Sequence, residues 1–365
     1  MPLDHYYLLG RSGLRVSRLA LGTMNFGTGG FHAAYGKTEE EARPIFRRYL
    51  EAGGNFIDTA DFYTAGESET ILGNLIAEAK VRDRVVLTTK FTNSVTPGDP
   101  NAGGNGRKHM IRAVEDSLRR LRTDHIDLFL LHTWDRITPV EEVLRTFDDL
   151  TRAGKIRYAG LSDVPSWYAA RAQTLTETHS LVPMVSLQLP YSLIDRAIEQ
   201  EHVTMGQSLG LGITAWSPLG GGFLTGKYRH ADHGLTGEGR LSGADSWTER
   251  QWQLLEAVES VAGKLGVTMA QVAVNWVATQ PGIASAIVGA SSVEQLDTSM
   301  AALDFELPAE LRAELDEASS VPPQSVYRMF TPDYQSWLVS PGVKVGDKPL
   351  GYAPAVWNWA PEGTA

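Results

Sequence analysis

Four polar residues that follow short apolar segments have the side chains needed for proton transfer. Asp58 ends the segment NFID, and Tyr63 follows in the next loop. Lys90 ends VVLTTK, and His132 ends DLFLLH. Taken one at a time, each has an ordinary structural role: a turn cap, a core aromatic, a solvated cation and a buried histidine with its hydrogen bond made. Their repeated position after apolar segments favours a shared site instead.

The chemistry of these four side chains is consistent with proton donation to a carbonyl group. A tyrosine has an ordinary pKa of about 10, and a nearby ammonium group lowers that pKa by stabilising the phenolate. Lys90 can supply the ammonium group, and Asp58 prevents it from being an unpaired buried charge. His132 would then orient a carbonyl oxygen or relay a proton. Reduction of a carbonyl group by hydride requires such a proton donor.

The elements that must position these residues form an alternating pattern. Short segments rich in β-branched residues alternate with longer segments of helical period. The candidate strands are Leu19–Leu21, Phe56–Ile57, Val85–Thr88, Leu128–Leu131, Tyr158–Leu161, Met184–Leu187, Ile213–Ala215 and Ala286–Val288. This pattern predicts an α/β fold, a closed (β/α)8 TIM barrel whose strand ends share one mouth. A doubly wound sheet is the alternative, but it requires a G-x-G-x-x-G turn near the N-terminus, which the sequence lacks.

Several helix boundaries can also be predicted. Thr38 and Glu41 have the spacing of a capping box, which indicates a helix that begins there and ends near Gly53. Apolar residues three and four positions apart predict two further helices, over Lys108–Leu121 and Val140–Ala153. These helices are of the length expected between the strands of a barrel.

We predict a barrel domain at residues 1–320 and a C-terminal extension at residues 321–365. Before the first strand, YYLLGRSGLRVS has the pattern of a hairpin that turns at Ser12 and Gly13, and we expect it to close the bottom of the barrel. The extension is rich in aromatic residues: Tyr327, Phe330, Tyr334, Trp337, Tyr352, Trp357 and Trp359. These aromatics either pack on the barrel or line a ligand, so we expect the extension on or near the active-site mouth.

The composition narrows the class of partner. The chain has 365 residues and a formal net charge of −10, which disfavours nonspecific binding to nucleic acid or to an anionic membrane. It has no cysteine, no signal-peptide pattern and no apolar run long enough for a transmembrane helix. We therefore expect a cytoplasmic globular protein with no nucleic-acid or membrane partner and no cysteine metal site. A homo-oligomer is left open.

Seven stretches, in their order along the chain, resemble one known family. They are LGRSGLRVSRLALGTM, NFIDTADFYTAGESETILG, VVLTTKF, DLFLLHTWD, GKIRYAGLSD, WSPLGGGFLTGKY and IVGASSVEQL. Over residues 6–320 the sequence resembles the aldo-keto reductase superfamily, most of all the group with bacterial aldo-keto reductases and potassium-channel beta subunits. The resemblance implies that Tyr63 is the general acid, that Lys90 and Asp58 tune it, and that His132 orients the substrate carbonyl. It also implies a nicotinamide cofactor, usually NADPH, bound without a Rossmann fold.

The resemblance further implies a set of cofactor-binding residues. They are Gly22, Thr23, Met24, Asp58, Ser162, Asp163, Gln188, Trp216, Ser217, Leu219, Gly221, Lys227, Arg240, Gly289, Ser291, Gln295 and Ser299. Ser162 and Gln188 can hydrogen-bond a carboxamide, and Trp216 offers a flat face to the nicotinamide ring. The glycine run offers amides to a pyrophosphate, and the helix after the eighth strand offers its N-terminus to a phosphate. Both stretches also fit ordinary structure, a loop and a helix cap.

Two positions depart from the family pattern. Asp163 stands where relatives commonly have Asn or Arg. Residues 289–295 contain no Arg or Lys, although many relatives bind the 2′-phosphate of NADPH with basic residues there. Lys227 and Arg240 are the basic residues left to supply that charge. We expect NADPH as the cofactor and leave NADH open.

The leading hypothesis is a reductase of aldehydes or ketones, with Tyr63, His132 and Trp134 lining the substrate site. The substrate class stays open between aromatic aldehydes, keto-sugars and other carbonyl compounds. A second hypothesis is a nicotinamide-binding regulatory or structural subunit with little turnover. A third is a lyase or aldolase that uses Lys90 as a Schiff-base amine, which Asp58 disfavours because a charged lysine is a poor nucleophile.

Overall fold

The structure is a computed structural model that describes residues 3–30, 35–231, 234–236, 241, 247–323, 325–339 and 341–343. It begins with an antiparallel hairpin of β1 (Tyr6–Leu8) and β2 (Arg15–Ser17). The next strands are β3 (Leu19–Gly22), β4 (Phe56–Asp58), β5 (Val86–Phe91), β6 (Ile126–Leu131), β7 (Ile156–Ser162), β8 (Met184–Pro190) and β9 (Gly212–Trp216). A second hairpin, β10 (Arg229–Ala231) and β11 (Gly234–Thr236), precedes the last strand, β12 (Ile283–Gly289).

Strands β3 to β9 and β12 form a closed parallel barrel. Ala286 of β12 lies opposite Ala215 of β9 on one side and opposite Leu19 of β3 on the other, which closes the ring. The expected (β/α)8 TIM barrel is therefore confirmed. All the predicted strands lie within observed ones, except that the third begins at Val86 and not at Val85.

Helices surround the barrel in the order that the sequence pattern predicts. They are α1 (Glu39–Glu51), α2 (Glu67–Ala79), α3 (Arg107–Leu121), α4 (Val140–Arg152), α5 (Ser166–His179), α6 (His202–Leu209), α7 (Glu249–Leu265), α8 (Met269–Ala278), α9 (Val293–Met300), α10 (Ala309–Ser319) and α11 (Pro332–Tyr334). The Thr38 hydroxyl accepts a hydrogen bond from the Glu41 amide, and the Glu41 carboxylate accepts one from the Thr38 amide. This confirms the capping box that begins α1.

The pleat of the strands separates two apolar layers. Along β6, Leu128 and Leu130 belong to the cluster inside the barrel, whereas Phe129 and Leu131 pack outward against the helices. Successive side chains of a strand point to opposite faces, so every second residue faces the interior. This period of two decides which polar residues can reach the mouth from inside.

The N-terminal hairpin closes the bottom of the barrel, as expected. Leu9 and Val16 are buried in the same cluster as Val86 and Val185, which lie at the beginning of their strands. Gly10 has a φ of +58°, and a Cβ atom there would collide with the carbonyl oxygen of Val185. The predicted turn is present, because β1 and β2 flank residues 9–14.

The first part of the C-terminal extension contacts the side of the barrel where the strands end. The Tyr327 hydroxyl donates a hydrogen bond to the Glu201 carboxylate, which also accepts one from Ser166 at the beginning of α5. Phe330 and Trp337 are exposed. Residues 344–365, with three of the predicted aromatics, lie outside the described residues, so the packing of the extension stays a prediction. Among the described helices, none is both long and apolar enough to cross a membrane.

Candidate active site

The pleat of β4 and β5 directs Asp58 and Lys90 into the barrel. Phe56 and Val86 belong to the interior cluster, so Asp58 and Lys90, which follow them at even spacing, face the same side. Lys90 Nζ lies 2.6 Å from Asp58 Oδ1 and 2.8 Å from the Thr59 carbonyl oxygen. Lys90 is fully buried and Asp58 nearly so. Each charge therefore depends on the other for a partner.

Tyr63 brings its hydroxyl group to the same ammonium group. It begins the turn Tyr63–Gly66 in the loop that follows β4, and the next two residues have a left-handed backbone. Lys90 donates a hydrogen bond to the Tyr63 hydroxyl oxygen at 3.2 Å, and Lys90 Nζ lies 4.9 Å from the centre of the ring. Asp58, Lys90 and Tyr63 thus form a continuous chain of polar contacts.

The pKa of Tyr63 shifts in the direction opposite to our expectation. Burial raises the pKa of the phenol above 10, and the Lys90 charge opposes this without overcoming it. The predicted lowering is wrong because the buried phenolate loses more solvation than the ammonium group restores, and the Asp58 charge also disfavours it. Tyr63 therefore keeps its proton at neutral pH, which is the form that can act as an acid.

Lys90 remains a cation in this site. Burial alone would lower the pKa of its ammonium group, but the charges and hydrogen bonds of Asp58 and Tyr63 outweigh that effect and raise it. A permanently charged lysine can stabilise a phenolate. It cannot act as the free amine that a Schiff base requires.

His132 follows β6 directly and faces Tyr63. The two rings are perpendicular, with centroids 5.8 Å apart, and Phe62 lies against the same imidazole at 5.2 Å. Burial lowers the pKa of His132 well below 6.5, and the Lys90 charge lowers it further. The imidazole is therefore neutral at pH 7 and can donate one hydrogen bond, as a group that orients a carbonyl oxygen must.

Three features of this cluster were not predicted from the sequence. Gln188 was expected only as a carboxamide contact, but its Nε2 atom donates a hydrogen bond of 2.8 Å to Asp58 Oδ2 across the barrel. The Thr59 carbonyl group binds Lys90, and no side-chain pattern reports a backbone contact of this kind. Asn93, 3.4 Å from His132, was also missed, although it is a polar residue shortly after a strand like the others.

A second polar group lies at the ends of β7, β8 and β9. Ser162 Oγ is buried and has no hydrogen-bond partner among the described residues. Trp216 Nε1 donates a hydrogen bond of 3.0 Å to Asp163 Oδ1, and 36% of the Trp216 surface is exposed. Burial raises the pKa of Asp163 to about 6, against the opposing effects of Trp216 and Lys90. A free hydroxyl, a carboxylate and an exposed indole face fit the carboxamide and ring of a nicotinamide.

The glycine run after β9 forms a tight turn. It includes the 3-10 helix Gly220–Thr225, in which the Gly221 amide donates to Ser217 Oγ at 3.1 Å. Leu219 directly precedes this turn. Lys227 is exposed, and its Nζ atom lies 5.1 Å from the centre of the Tyr228 ring. Arg240 lies outside the described residues.

The end of β3 contacts the cluster of Asp58, Lys90 and Tyr63 directly. Gly22 lies opposite Asp58 on one side and opposite Gly289 on the other. The Thr23 hydroxyl is fully buried and donates to the Asp58 carbonyl oxygen at 3.1 Å, and Met24 follows it at the mouth. These residues border the cluster, and their contact with a cofactor stays a prediction.

The beginning of α9 has the geometry of an ordinary helix cap. Ser292 Oγ accepts a hydrogen bond from the Gln295 amide at 3.2 Å, and Gln295 Oε1 accepts one from the Ser291 amide at 2.9 Å. Ser299 is buried and donates to the Gln295 carbonyl oxygen at 3.0 Å. Two amides at this helix end already have partners within the chain, so the role predicted for them at a phosphate stays untested.

Trp134 lies at the rim of the mouth and is half-buried. Its ring contacts Trp167 edge to face at 5.3 Å, and its amide donates to the Asp163 carbonyl oxygen. Trp167 is 55% exposed. The loop after β6 and the beginning of α5 thus share an aromatic wall above the polar residues.

Comparison with known proteins gives an independent view of the site. The model of the family described as "Aldo/keto reductase family" matches residues 18–320. The uncharacterized oxidoreductase YrpG of Bacillus subtilis is 37% identical, over 86% of this chain and 95% of its own length. The norsolorinic acid reductase stcV of Emericella nidulans is 33% identical, over 94% of this chain and 92% of its own length.

A third relative bears on the subgroup. The putative voltage-gated potassium channel subunit beta of Schizosaccharomyces pombe is 31% identical, over 88% of this chain and 95% of its own length. Bacterial oxidoreductases and a channel beta subunit therefore both occur among the relatives. This confirms the resemblance that the seven sequence stretches indicated.

Proposed function

Since the chain belongs to the aldo/keto reductase family, we propose that it is an NADPH-dependent oxidoreductase that reduces an aldehyde or a ketone to an alcohol. The observation that carries the proposal is the convergence of three groups inside the mouth. Lys90 Nζ lies 2.6 Å from Asp58 Oδ1 and 3.2 Å from the Tyr63 hydroxyl oxygen. This arrangement supports Tyr63 as the proton donor.

The residues of the site share the work of the reaction. Neutral His132 donates a hydrogen bond to the substrate carbonyl oxygen and holds it beside Tyr63. NADPH, its nicotinamide held by Ser162, Asp163 and Trp216, would supply the hydride that the carbonyl carbon accepts. Tyr63 gives its phenolic proton to the oxygen, and Lys90 stabilises the phenolate that remains. Asp58 keeps Lys90 paired throughout, so that no charge is left alone in the buried site.

The cofactor assignment rests on the second polar group. Ser162, Asp163 and Trp216 would hold the nicotinamide, and Lys227 would supply charge to the phosphates. Preference for NADPH over NADH rests on Lys227 and Arg240 alone, since residues 289–295 have no basic side chain. Quenching of tryptophan fluorescence by each cofactor tests this preference, and clearly tighter binding of NADH would overturn it.

Turnover on a panel of carbonyl compounds tests the function itself. The panel should include aromatic aldehydes, keto-sugars and diketones, with NADPH oxidation followed by absorbance. Tyr63→Phe should lower the turnover rate by about 10²- to 10⁴-fold because the proton donor is gone. Tyr7→Phe makes the same chemical change at the bottom of the barrel and should leave the rate unchanged. A Tyr63→Phe variant with the wild-type rate would remove Tyr63 from the mechanism.

The C-terminal extension is proposed to cover part of the substrate site. The contact between Tyr327 and Glu201 supports this, because Glu201 lies at the rim of the mouth. A chain that ends at Ser320 should then show a changed preference across the same panel. An unchanged preference in a folded protein would remove that role.

A nicotinamide-binding subunit with little turnover is the second candidate. The relative named as a potassium channel subunit beta favours it. Tight NADPH binding without NADPH oxidation on any carbonyl compound would support this candidate over a reductase. A cytoplasmic location and a small-molecule partner are proposed for either function, on the lack of cysteine and the net charge of −10.

A further inference from the structure

We propose that Asn93 is a positioning residue that fixes the tautomer of His132, so that the imidazole carries its proton on Nε2. This inference rests on the proposed function, in which His132 donates a hydrogen bond to the substrate oxygen. It adds a residue outside the predicted catalytic group. The loop that follows β5 holds Asn93 in place for this purpose.

With the amide nitrogen of Asn93 toward the ring, the contact fixes which ring nitrogen is protonated. Asn93 Nδ2 lies 3.4 Å from His132 Nδ1, and it is the one side-chain hydrogen bond to the ring among the described residues. An amide nitrogen can only donate, so Nδ1 must accept with its lone pair. A neutral imidazole has a single proton, which must then be on Nε2. That nitrogen can donate to a substrate oxygen, whereas the other tautomer would present a lone pair and repel it.

The backbone at Thr92 places Asn93 beside the histidine. Thr92 has a φ of +113°, a conformation that costs a β-branched residue about 1–3 kcal/mol. Its Oγ1 atom accepts a hydrogen bond from the His132 amide at 3.2 Å. Thr92, immediately before Asn93, is therefore hydrogen-bonded to the backbone of His132, whose ring Asn93 contacts.

A buried asparagine holds this strained turn. Thr92 Oγ1 donates to Asn105 Oδ1 at 2.6 Å, and Asn105 is fully buried. Asn105 Nδ2 donates to the Thr133 carbonyl oxygen at 3.0 Å, and the backbone N–H of Asn105 donates to Asp135 Oδ2 at 2.8 Å. Both acceptors lie in the loop after β6, next to His132. The loops after β5 and β6 are thus joined around the histidine, which offsets the backbone strain.

The test uses the position of the proton and does not depend on turnover. In ¹⁵N-histidine-labelled protein, long-range ¹H–¹⁵N spectra distinguish a protonated ring nitrogen from one with a free lone pair. The His132 signals are those lost in His132→Gln. We expect Nε2 protonated and Nδ1 free in the wild-type protein at pH 7. A proton on Nδ1 in the wild-type protein would overturn the proposal.

Asn93→Asp is the matched variant, because it keeps the shape of the side chain and removes the donor. A carboxylate can only accept a hydrogen bond, so it favours the tautomer with the proton on Nδ1. The Nδ1 signal should therefore change to the protonated type, and kcat should fall by about tenfold or more with a smaller change in KM. Asn101→Asp adds the same charge at an exposed position of the same loop. It should change neither the His132 signals nor kcat. Unchanged His132 signals in Asn93→Asp would also overturn the proposal.

A variant without an added charge tests the same contact in case Asn93→Asp makes the loop misfold. Asn93→Ala removes the donor without adding a charge, and we expect a mixture of both tautomers and a smaller loss of kcat than in Asn93→Asp. Retention of the Nε2–H form alone would contradict the role of Asn93. If the wild-type tautomer is as proposed but no carbonyl compound is reduced, the proposed function fails while the assignment of Asn93 stands.

Discussion

The two ends of the barrel use left-handed backbone conformations differently. At the bottom, Lys80, Arg122 and Ser180 have positive φ values, and each directly follows the last residue of a helix, where this conformation is a common cap. At the mouth, non-glycine residues with positive φ follow strands of the barrel. They are Thr64, Ala65, Thr92, Arg136, Asp163 and Ser217. The left-handed residues at the bottom therefore have a common conformation for their position, whereas those at the mouth have a conformation of higher free energy.

The difference indicates that backbone strain is tolerated at the mouth, where the polar side chains of the candidate site lie. A left-handed residue outside a helix cap costs about 1–3 kcal/mol, and it persists only where its surroundings enforce it. Thr92 and Asp163 are such residues, and each makes a side-chain hydrogen bond near the mouth. The bottom is instead closed by apolar contacts of Leu9 and Val16. Apolar packing at the bottom of the barrel stabilises the fold, which allows strained backbone at the mouth, where the polar side chains lie.

The largest effect should come from Lys90→Met, which keeps the length of the side chain and removes its charge. We expect turnover to fall by about 10³-fold, because the phenolate of Tyr63 loses its stabilising cation. Stability should fall by about 3–5 kcal/mol, because Asp58 is left as a buried charge without its cation. Steady-state kinetics and urea unfolding measure the two effects.

A double variant separates these two consequences of losing Lys90. Lys90→Met combined with Asp58→Asn has no unpaired charge, so its stability should recover while its turnover does not. Recovery of turnover in the double variant would contradict a chemical role for the ammonium group. The charges at the mouth would then affect only stability, as the apolar contacts at the bottom do.

The next effect should come from Leu9→Ala at the bottom of the barrel. Leu9 is fully buried, and its truncation leaves a cavity that should cost about 2–5 kcal/mol of unfolding free energy. The turnover rate of the folded enzyme should stay within about twofold of the wild type, since activity depends on the distant mouth. A tenfold loss of rate in folded protein would show that the two ends are coupled.

The smallest effect should come from Asp163→Asn and should depend on pH. The pKa of Asp163 is about 6 in the folded protein and 3.8 without the fold, so the stability that it contributes is complete below pH 3.8 and lost as the pH rises through 6. The wild type should therefore lose at most about 3 kcal/mol over this interval relative to the variant. Asparagine keeps an oxygen acceptor for Trp216, so the contact itself is preserved.

Urea unfolding at several pH values between 4 and 7.5 measures this difference. The variant should gain stability over the wild type as the pH rises. An equal difference at every pH would mean that the Asp163 carboxylate is not the group that titrates.

Much of the fold follows from local sequence patterns. Strands of a barrel buried on both faces are short and rich in β-branched residues, and Thr38 with Glu41 marks a helix beginning through hydrogen bonds between near neighbours. Asp58, Lys90 and His132 could be placed together because each follows such a strand, and parallel strands end at one mouth. The exact first residue of a strand, Val86 and not Val85, depends on pairing with β4 and was missed.

Contacts between distant parts of the chain could not be predicted. The shift in the pKa of Tyr63 depends on how deeply the ring is buried, and no local pattern gives that depth. The bond from Gln188 to Asp58 crosses the barrel interior and depends on its diameter. Asn93 reaches His132 only because Thr92 adopts a positive φ, which the residue type does not suggest. Residue types therefore suggested candidate residues, and the structure supplied their distances, hydrogen-bond partners and pKa shifts.

The pairing of β12 with β3 has a consequence for synthesis of the protein. Leu19 leaves the ribosome long before its partner Ala286, which lies in the last strand of the barrel. Until that strand emerges, the nascent chain has an open sheet edge and an incomplete interior, both of which favour aggregation. The contact of Asp58 with Lys90 is much more local and can form earlier. The polar cluster of the mouth can therefore form while the barrel around it is still open.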